Sequence, residues 1–258
     1  MGLFMKFSSL PVVVSLPVVL ACLLNAQEAP EPLRAPDRGT EMRVHGIQVL
    51  PATGRPFSAR DHIVWTRNLE DGTVVTTELY AFVARDSQGR IYRERRSFIP
   101  LNSNQKSRQY DLVLLDPVSH TRTTCLIARR RCTVEAYQAS TTFSLNPDGL
   151  FDHGLRFLAR ENLGHDVIDS LDVTGIRETL QISSGAVGNN QALVSTRDFW
   201  YSPALQVNLS VTRKDPRVGT QVLQLVDLSL TEPDSKIFQP PTGFLIGKLV
   251  PESLRAAN

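Results

Sequence analysis

From Leu163 to Phe244 the chain reads as one unbroken run of antiparallel strands joined by recognisable turns, which commits this half of the molecule to a sheet. Leu205, Val207, Leu209 and Val211 alternate with Gln206, Asn208, Ser210 and Thr212, so a strand here has one apolar and one wet face. After the polar connection Arg213 to Gly219, in which Pro216 can donate to no ladder, a second strand spans Gln221 to Leu230. Its apolar residues change parity, Leu223 and Leu225 against Val226, Leu228 and Leu230, as happens where a strand is covered on both faces or bulged. Upstream, His165 to Ile168 and Leu171 to Ile182 make a hairpin over Asp169-Ser170. A loop rich in Gly and Asn, Ser183 to Asn190, and an aromatic knot, Asp198 to Pro203, follow.

The first structured stretch repeats the pattern from about Ser58. Ile63 to Leu69 and Thr73 to Arg85 are joined by Glu70-Asp71-Gly72, where Asp-Gly supplies the positive φ of a tight turn. Ser87-Gln-Gly89 turns the chain into Arg90 to Phe98. A polar loop, Pro100 to Arg108, then leads to Tyr110 to Leu115 and Thr121 to Ile127. One segment reads as helix: Phe151, Leu155 and Leu158 fall at helical spacing over Pro147 to Asn162, with Asn146 and Pro147 as a start signal and Gly149 and Gly154 against it. Such a helix would cover an open side of the sheet, or act as a lid over a cavity.

At the N-terminus Lys6 precedes an apolar stretch, Phe7 to Leu24, which ends at Asn25-Ala26-Gln27. This is the pattern of a secretory signal peptide over residues 1–26, cleaved after Ala26. Pro11 and Pro17 interrupt the stretch, and it is shorter than the roughly 20 apolar residues that span a bilayer, so no membrane span is expected after cleavage. Val19-Leu-Ala-Cys22 is a weak lipidation box, which leaves an anchor at Cys22 as an alternative to a periplasmic or extracellular protein. Of 28 basic and 26 acidic residues the leader removes one base and no acid, leaving +1, a balance that gives nucleic acid no purchase. Residues 27–56 carry five prolines and read as an extended tether. Residues 57–246 read as a single antiparallel β domain and 247–258 as a tail.

Cys125 and Cys132 remain after processing. Set opposite each other on a hairpin that turns at Ile127 to Arg130, they meet the geometry of a disulfide, which an exported compartment favours over a redox pair. Arg129, Arg130 and Arg131 make that hairpin tip basic: a solvated tip, or a contact for an anionic surface.

His-Glu-x-x-His, Gly-x-Ser-x-Gly, the P-loop and the dinucleotide fingerprint are all missing, and His45, His62, His120, His153 and His165 are scattered. Asp148, Asp152, Glu161 and Asp166 lie near His153 and His165, a pattern that loop solvation explains without a metal. No catalytic residue, metal ligand or cofactor is assigned.

Two blocks carry a family resemblance. Glu161 to Gly164, Val173-Thr-Gly175, Trp200 to Leu205, Asp215 to Gly219, Glu232-Pro-Asp234 and Phe238 to Pro241 form one. Pro56 to Ala59, Leu69 to Gly72, Arg85 to Arg90 and Asp116-Pro-Val118 form the other. Together they resemble a group of secreted proteins frequent in Acidobacteria, to which no activity is assigned. More distantly, Leu-Gly, a strand, Trp-x-x-Pro, Asp-x-x-x-Gly and the Pro-Asp-x-x-x-Phe-x-x-Pro ending are similar to the periplasmic lipoprotein-carrier superfamily. That resemblance implies a mainly β, LolA-like fold: a strongly curved antiparallel half-barrel, here with at most one or two short helices, around an apolar cavity for acyl chains. The carriers plug their cavity with several helices, and this chain has at most one to offer.

A curved sheet must cover its apolar concave face or leave it for a ligand. Trp65, Tyr80, Phe82, Trp200, Tyr201, Leu209 and Val211 are the candidates for that face, against the simpler reading of core packing. Three functions follow: a carrier for a lipid or lipoprotein acyl chain, an envelope protein-interaction or stress-sensor module with a filled core, and an exported hydrolase or metal enzyme.

Overall fold

Two meanders, one from each half of the chain, are zipped together along their first and last long strands. In the computed structural model residues 46–138 and 148–250 are described, with side chains to residue 247. They belong to one compact unit. The first meander comprises β1 (Phe57–Asn68), β2 (Val74–Arg85), β3 (Ile91–Arg96), the short β4 (Ile99–Pro100), β5 (Gln109–Asp116), β6 (Thr121–Leu126) and β7 (Arg131–Ala136). The second comprises β8 (Gly149–Phe151), β9 (Arg156–Ile168), β10 (Leu171–Ile182), β11 (Leu193–Ser202), β12 (Val207–Asp215) and β13 (Gly219–Ser229), followed by a 3-10 turn (Ser235–Phe238) and β14 (Leu245–Val250).

The strand order is β14-β7-β6-β5-β3-β2-β1-β13-β12-β11-β10-β9-β8, with β4 pairing β2 on a side branch. Every pairing is antiparallel except that of β14, which runs parallel to β7. The path stays open, giving a curved half-barrel. Its curl can be read from contacts that bridge strands distant in the order. The Arg85 guanidinium at the end of β2 donates to the carbonyls of Leu50 (2.9 Å), Arg55 (3.1 and 3.0 Å) and Leu205, the last in the β11–β12 turn. Arg55 in turn donates to Pro203 and Ala204 of that turn.

The hairpins fall where turn chemistry puts them. Gly72 has φ +82° and donates to Leu69 (3.0 Å), and Asp169 and Ser170 both adopt positive φ between β9 and β10. The parity change in β13 is a bulge: Ser58 and Arg60 of β1 pair with Ser229 and Val226, and Asp227 within the longer side has φ +54°.

The helix expected from 147 to 162 is not formed. Residues 149–151 are β8, residues 156–168 are β9, and Asp152, His153 and Gly154 turn between them with φ of +54°, +56° and +83°. Three successive left-handed residues end any helix, and Leu150 and Phe157 pair across the hairpin instead. Pro147 lies outside the described residues, as do the leader, Cys22 and most of the 27–56 segment.

The main core gathers Phe57, Ala59 and Ile63 of β1, Leu79 and Val83 of β2, Val207, Leu209 and Val211 of β12, and Leu223 and Leu225 of β13, with Val173 of β10 packed into the same cluster. Ile47, Val49 and Leu205 join it from outside the long strands, with Val49 bridged to Val207. They cap one end of the inner face. On the opposite face a smaller cluster holds Leu112, Leu114 and the paired, fully buried Cys125 and Cys132, with Phe244 against it. The two cysteines face each other across β6 and β7 with Cα atoms 3.9 Å apart and are bonded, as their spacing led one to expect.

Candidate functional site: the inner face of the sheet

Register assigns residues to faces. Directly paired residues share a face, so Ile176, Phe199, Val211, Leu223, Ile63 and Leu79 form one apolar row across β10, β11, β12, β13, β1 and β2. Leu223 at its centre is fully buried, Phe199 is half-buried, and Ile176 at its end is 39 % exposed. The row therefore runs out of the packed core toward solvent. Two residues further along each strand lies a second row: Arg160, Glu178, Arg197, Arg213, Gln221 and Trp65.

Of the seven residues named from the sequence, Trp65, Leu209 and Val211 lie on this face. Trp65 is 8 % exposed; its Nε1 donates to the Val218 carbonyl (2.7 Å) and its ring meets Phe98 edge-on at 5.7 Å. Leu209 is the extra residue of a bulge, since Trp200 pairs with Ser210 and Tyr201 with Asn208. Trp200 packs against the main core, and its ring lies over Gly175, where a Cβ would come within 2.7 Å of it. Tyr201 is half-buried opposite Thr174 and Asn208.

Tyr80 and Phe82 lie on the other face, because Leu79, Ala81 and Val83 between them take the core side. Tyr80 stacks on His62 with centroids 4.1 Å apart, and Phe82 meets Tyr92 edge-on at 5.7 Å. The structure thus gathers part of the candidate set on the inner face and leaves two aromatics outside it.

What sequence reasoning missed is the charge on that face. Asp61 stands between Ala59 and Ile63 on the core parity of β1 and is 4 % exposed. Its Oδ2 accepts from the Ile47 amide (2.8 Å), and no described residue bonds its Oδ1. Gly46 passes so close that a Cβ there would sit 2.1 Å from Oδ2 and 2.7 Å from the Arg93 guanidinium. Burial pushes the Asp61 carboxyl up to about 6, against the opposing pull of Arg93, the Ile47 amide, Arg213 and His62. Arg93 is on β3 and Arg213 on β12, each two strands from β1 on opposite sides. That both act on Asp61 is a direct consequence of the inward curl.

Arg213 is itself held below the usual arginine range, first by burial and then by the nearby Arg197, with Asp61 pulling the other way and Arg93 adding to the repulsion. Arg160, by contrast, is neutralised by Glu178 (2.9 Å) and Asp148. Arg85, fully buried, drops to about 10, chiefly through burial and secondarily through Arg55, and keeps its proton at neutral pH. A signal for this polar layer was present: a charged residue on the apolar parity of a strand, as at Asp61 and Arg93. Placing Arg197 and Arg213 beside Trp65 needed the β1–β13 pairing, which local pattern does not supply.

The carboxylates near His153 and His165 are spread along the β8–β9 hairpin, with Asp152 paired to Arg156 (3.2 Å) and Asp148 to Arg160. Among the described residues no three His, Cys, Asp or Glu side chains come together as a metal site. Arg129, Arg130 and Arg131 are exposed at the hairpin tip. No described helix is long and apolar enough to cross a membrane.

No protein-family model matches the sequence, and no curated protein matches it. Solved structures similar to the chain include LprF from Mycobacterium bovis, 15 % identical over 70 % of this chain and 90 % of that one, with a TM-score of 0.27. Lipoprotein LppX from Mycobacterium tuberculosis is 13 % identical with the same coverage and a TM-score of 0.25. A domain assigned as an outer membrane lipoprotein-sorting protein from Vibrio parahaemolyticus is 11 % identical over 72 % of this chain and 89 % of that one, with a TM-score of 0.25.

Proposed function

We propose that this is an exported, non-enzymatic protein of the cell envelope that holds a lipid or similar apolar ligand on the inner face of its half-barrel. The observation that carries this reading is the apolar row that leaves the packed core at Leu223 and reaches solvent at Ile176. Ile47, Val49 and Leu205 seal the other end of the face, so a ligand would enter over β10 and β11 and lie against Phe199. Burying an acyl chain there gains about 0.8 kcal/mol per methylene. The Trp65 indole lies on the adjoining row and Trp200 follows Phe199 on β11, so both serve as reporters. Titration with 1-O-dodecylglycerol is expected to shift their fluorescence saturably, and Phe199→Asp to abolish the shift while the circular dichroism of the sheet is retained. An unchanged titration in the Phe199 variant would contradict this placement.

A second reading, a protein-interaction or sensor module, draws on a different surface. Leu150, Phe157, Gln181 and Val194 are paired in one row across β8 to β11, on the face opposite Leu158 and Leu180, and Leu150 is 72 % exposed. An exposed apolar stripe at a sheet edge suits a partner better than solvent.

A further inference from the structure

We infer that the ligand of the inner face is an amphiphile with an oxyanion head, and that the head is received by Arg197 together with its neighbours Arg213 and Arg93. The inference rests on the apolar-ligand reading and gives that ligand its chemical class.

Three observations support it. First, Arg197 and Arg213 are directly paired across β11 and β12, which sets two guanidinium side chains side by side on one face. Like charges at directly opposed positions destabilise a sheet, and a bound anion is what turns such a pair to advantage. Second, the arginine row is the immediate neighbour of the apolar row: Arg197 is two residues from Phe199 on β11, and Arg213 two from Val211 on β12. An acyl chain lying on Phe199 and Ile176 therefore has its polar end beside Arg197.

Third, of these arginines Arg197 is the one that faces solvent, while Arg93 and Arg213 act on the buried Asp61. Guanidinium groups match phosphate and carboxylate oxygens in pairs, and Arg197 is exposed enough to meet an incoming head.

The test compares three probes on the full mature chain: dodecyl phosphate, the uncharged 1-O-dodecylglycerol with the same chain length, and inorganic phosphate. Dodecyl phosphate is expected to bind about 10 to 100-fold more tightly than the neutral amphiphile, as suits one or two charge-assisted contacts. Arg197→Gln should erase most of that difference and leave binding of the neutral probe unchanged, whereas Arg197→Lys should retain part of it. Raising salt should weaken only the charged probe.

Equal affinity for the charged and neutral amphiphiles would overturn the head-group assignment and leave the apolar site standing. If neither amphiphile binds, the apolar site fails and this inference with it. Inorganic phosphate binding as tightly as dodecyl phosphate would overturn the amphiphile in favour of a free anion. A loss of neutral-probe affinity in Arg197→Gln would show that the side chain acts by packing, and would also overturn the assignment.

Discussion

Asp61 is the residue whose environment departs furthest from what its strand pattern suggests. A carboxyl raised from 3.8 to about 6 is disfavoured as an ion in the folded state. Between those two values the folded chain binds more protons than the unfolded one, so the sign is fixed. This group's contribution is greatest below about pH 4 and is lost as pH rises through about 6, a span of about 3 kcal/mol at most. Asp61→Asn should therefore flatten the stability profile between pH 4 and 6.5. Urea midpoints at closely spaced pH values check this, and an unchanged slope in the variant would place the titration elsewhere. At this scale the sequence was readable where alternation was clean: Leu209 and Val211 are core, and Cys125 faces Cys132. Tyr80 and Phe82, named from the sequence for the inner face, stand on the opposite parity. Leu79, Ala81 and Val83 decide which way the β2 side chains point.

At the scale of elements, turns were legible and the β8–β9 hairpin, which reads as helix, was not. Glu70-Asp71-Gly72 and Asp169-Ser170 turn as their chemistry demands. Phe151, Leu155 and Leu158 fit helical spacing by accident of a hairpin, with Leu155 in the turn and Leu158 on the strand that follows. Gly149 and Gly154, read as weakening a helix, are left-handed residues that belong to the hairpin. The β6–β7 hairpin carries the disulfide, which closes a short loop and on chain-entropy grounds contributes roughly 2 to 2.5 kcal/mol. Replacing Cys125 and Cys132 by Ser should lower stability by about that amount or somewhat more, since both sulfurs are fully buried with Leu112 and Leu114. The inner face lies on the other side of the sheet, so dodecylglycerol binding should persist in the folded variant. Chemical denaturation and the tryptophan titration, run on the same samples, check both halves of this expectation.

Across the whole molecule the decisive contact is the β1–β13 seam, which joins residues more than 150 apart and turns two meanders into one sheet. No local pattern announces a pairing between the first long strand and the thirteenth, and the composition of the inner face follows from it. Once the seam is in place, Trp65 aligns with Gln221, Arg213 and Arg197, and Ile63 with Leu223, Val211 and Phe199. The clamp of Arg85 and Arg55 on the β11–β12 turn, with Ile47 and Val49 packed into the same core, then ties β2 to that turn. The apolar row leaves the packed core at Leu223 and reaches solvent at Ile176, and the ligand reading depends on it. Native mass spectrometry of the protein expressed from its full sequence, residues 1–26 included, and gently recovered from the cell fraction that holds it tests that reading most directly. A surplus mass that is lost on denaturation and matches an acidic amphiphile is the predicted result. A bare chain, with Phe199→Asp protein giving the same spectrum and neither binding added dodecyl phosphate, would contradict it.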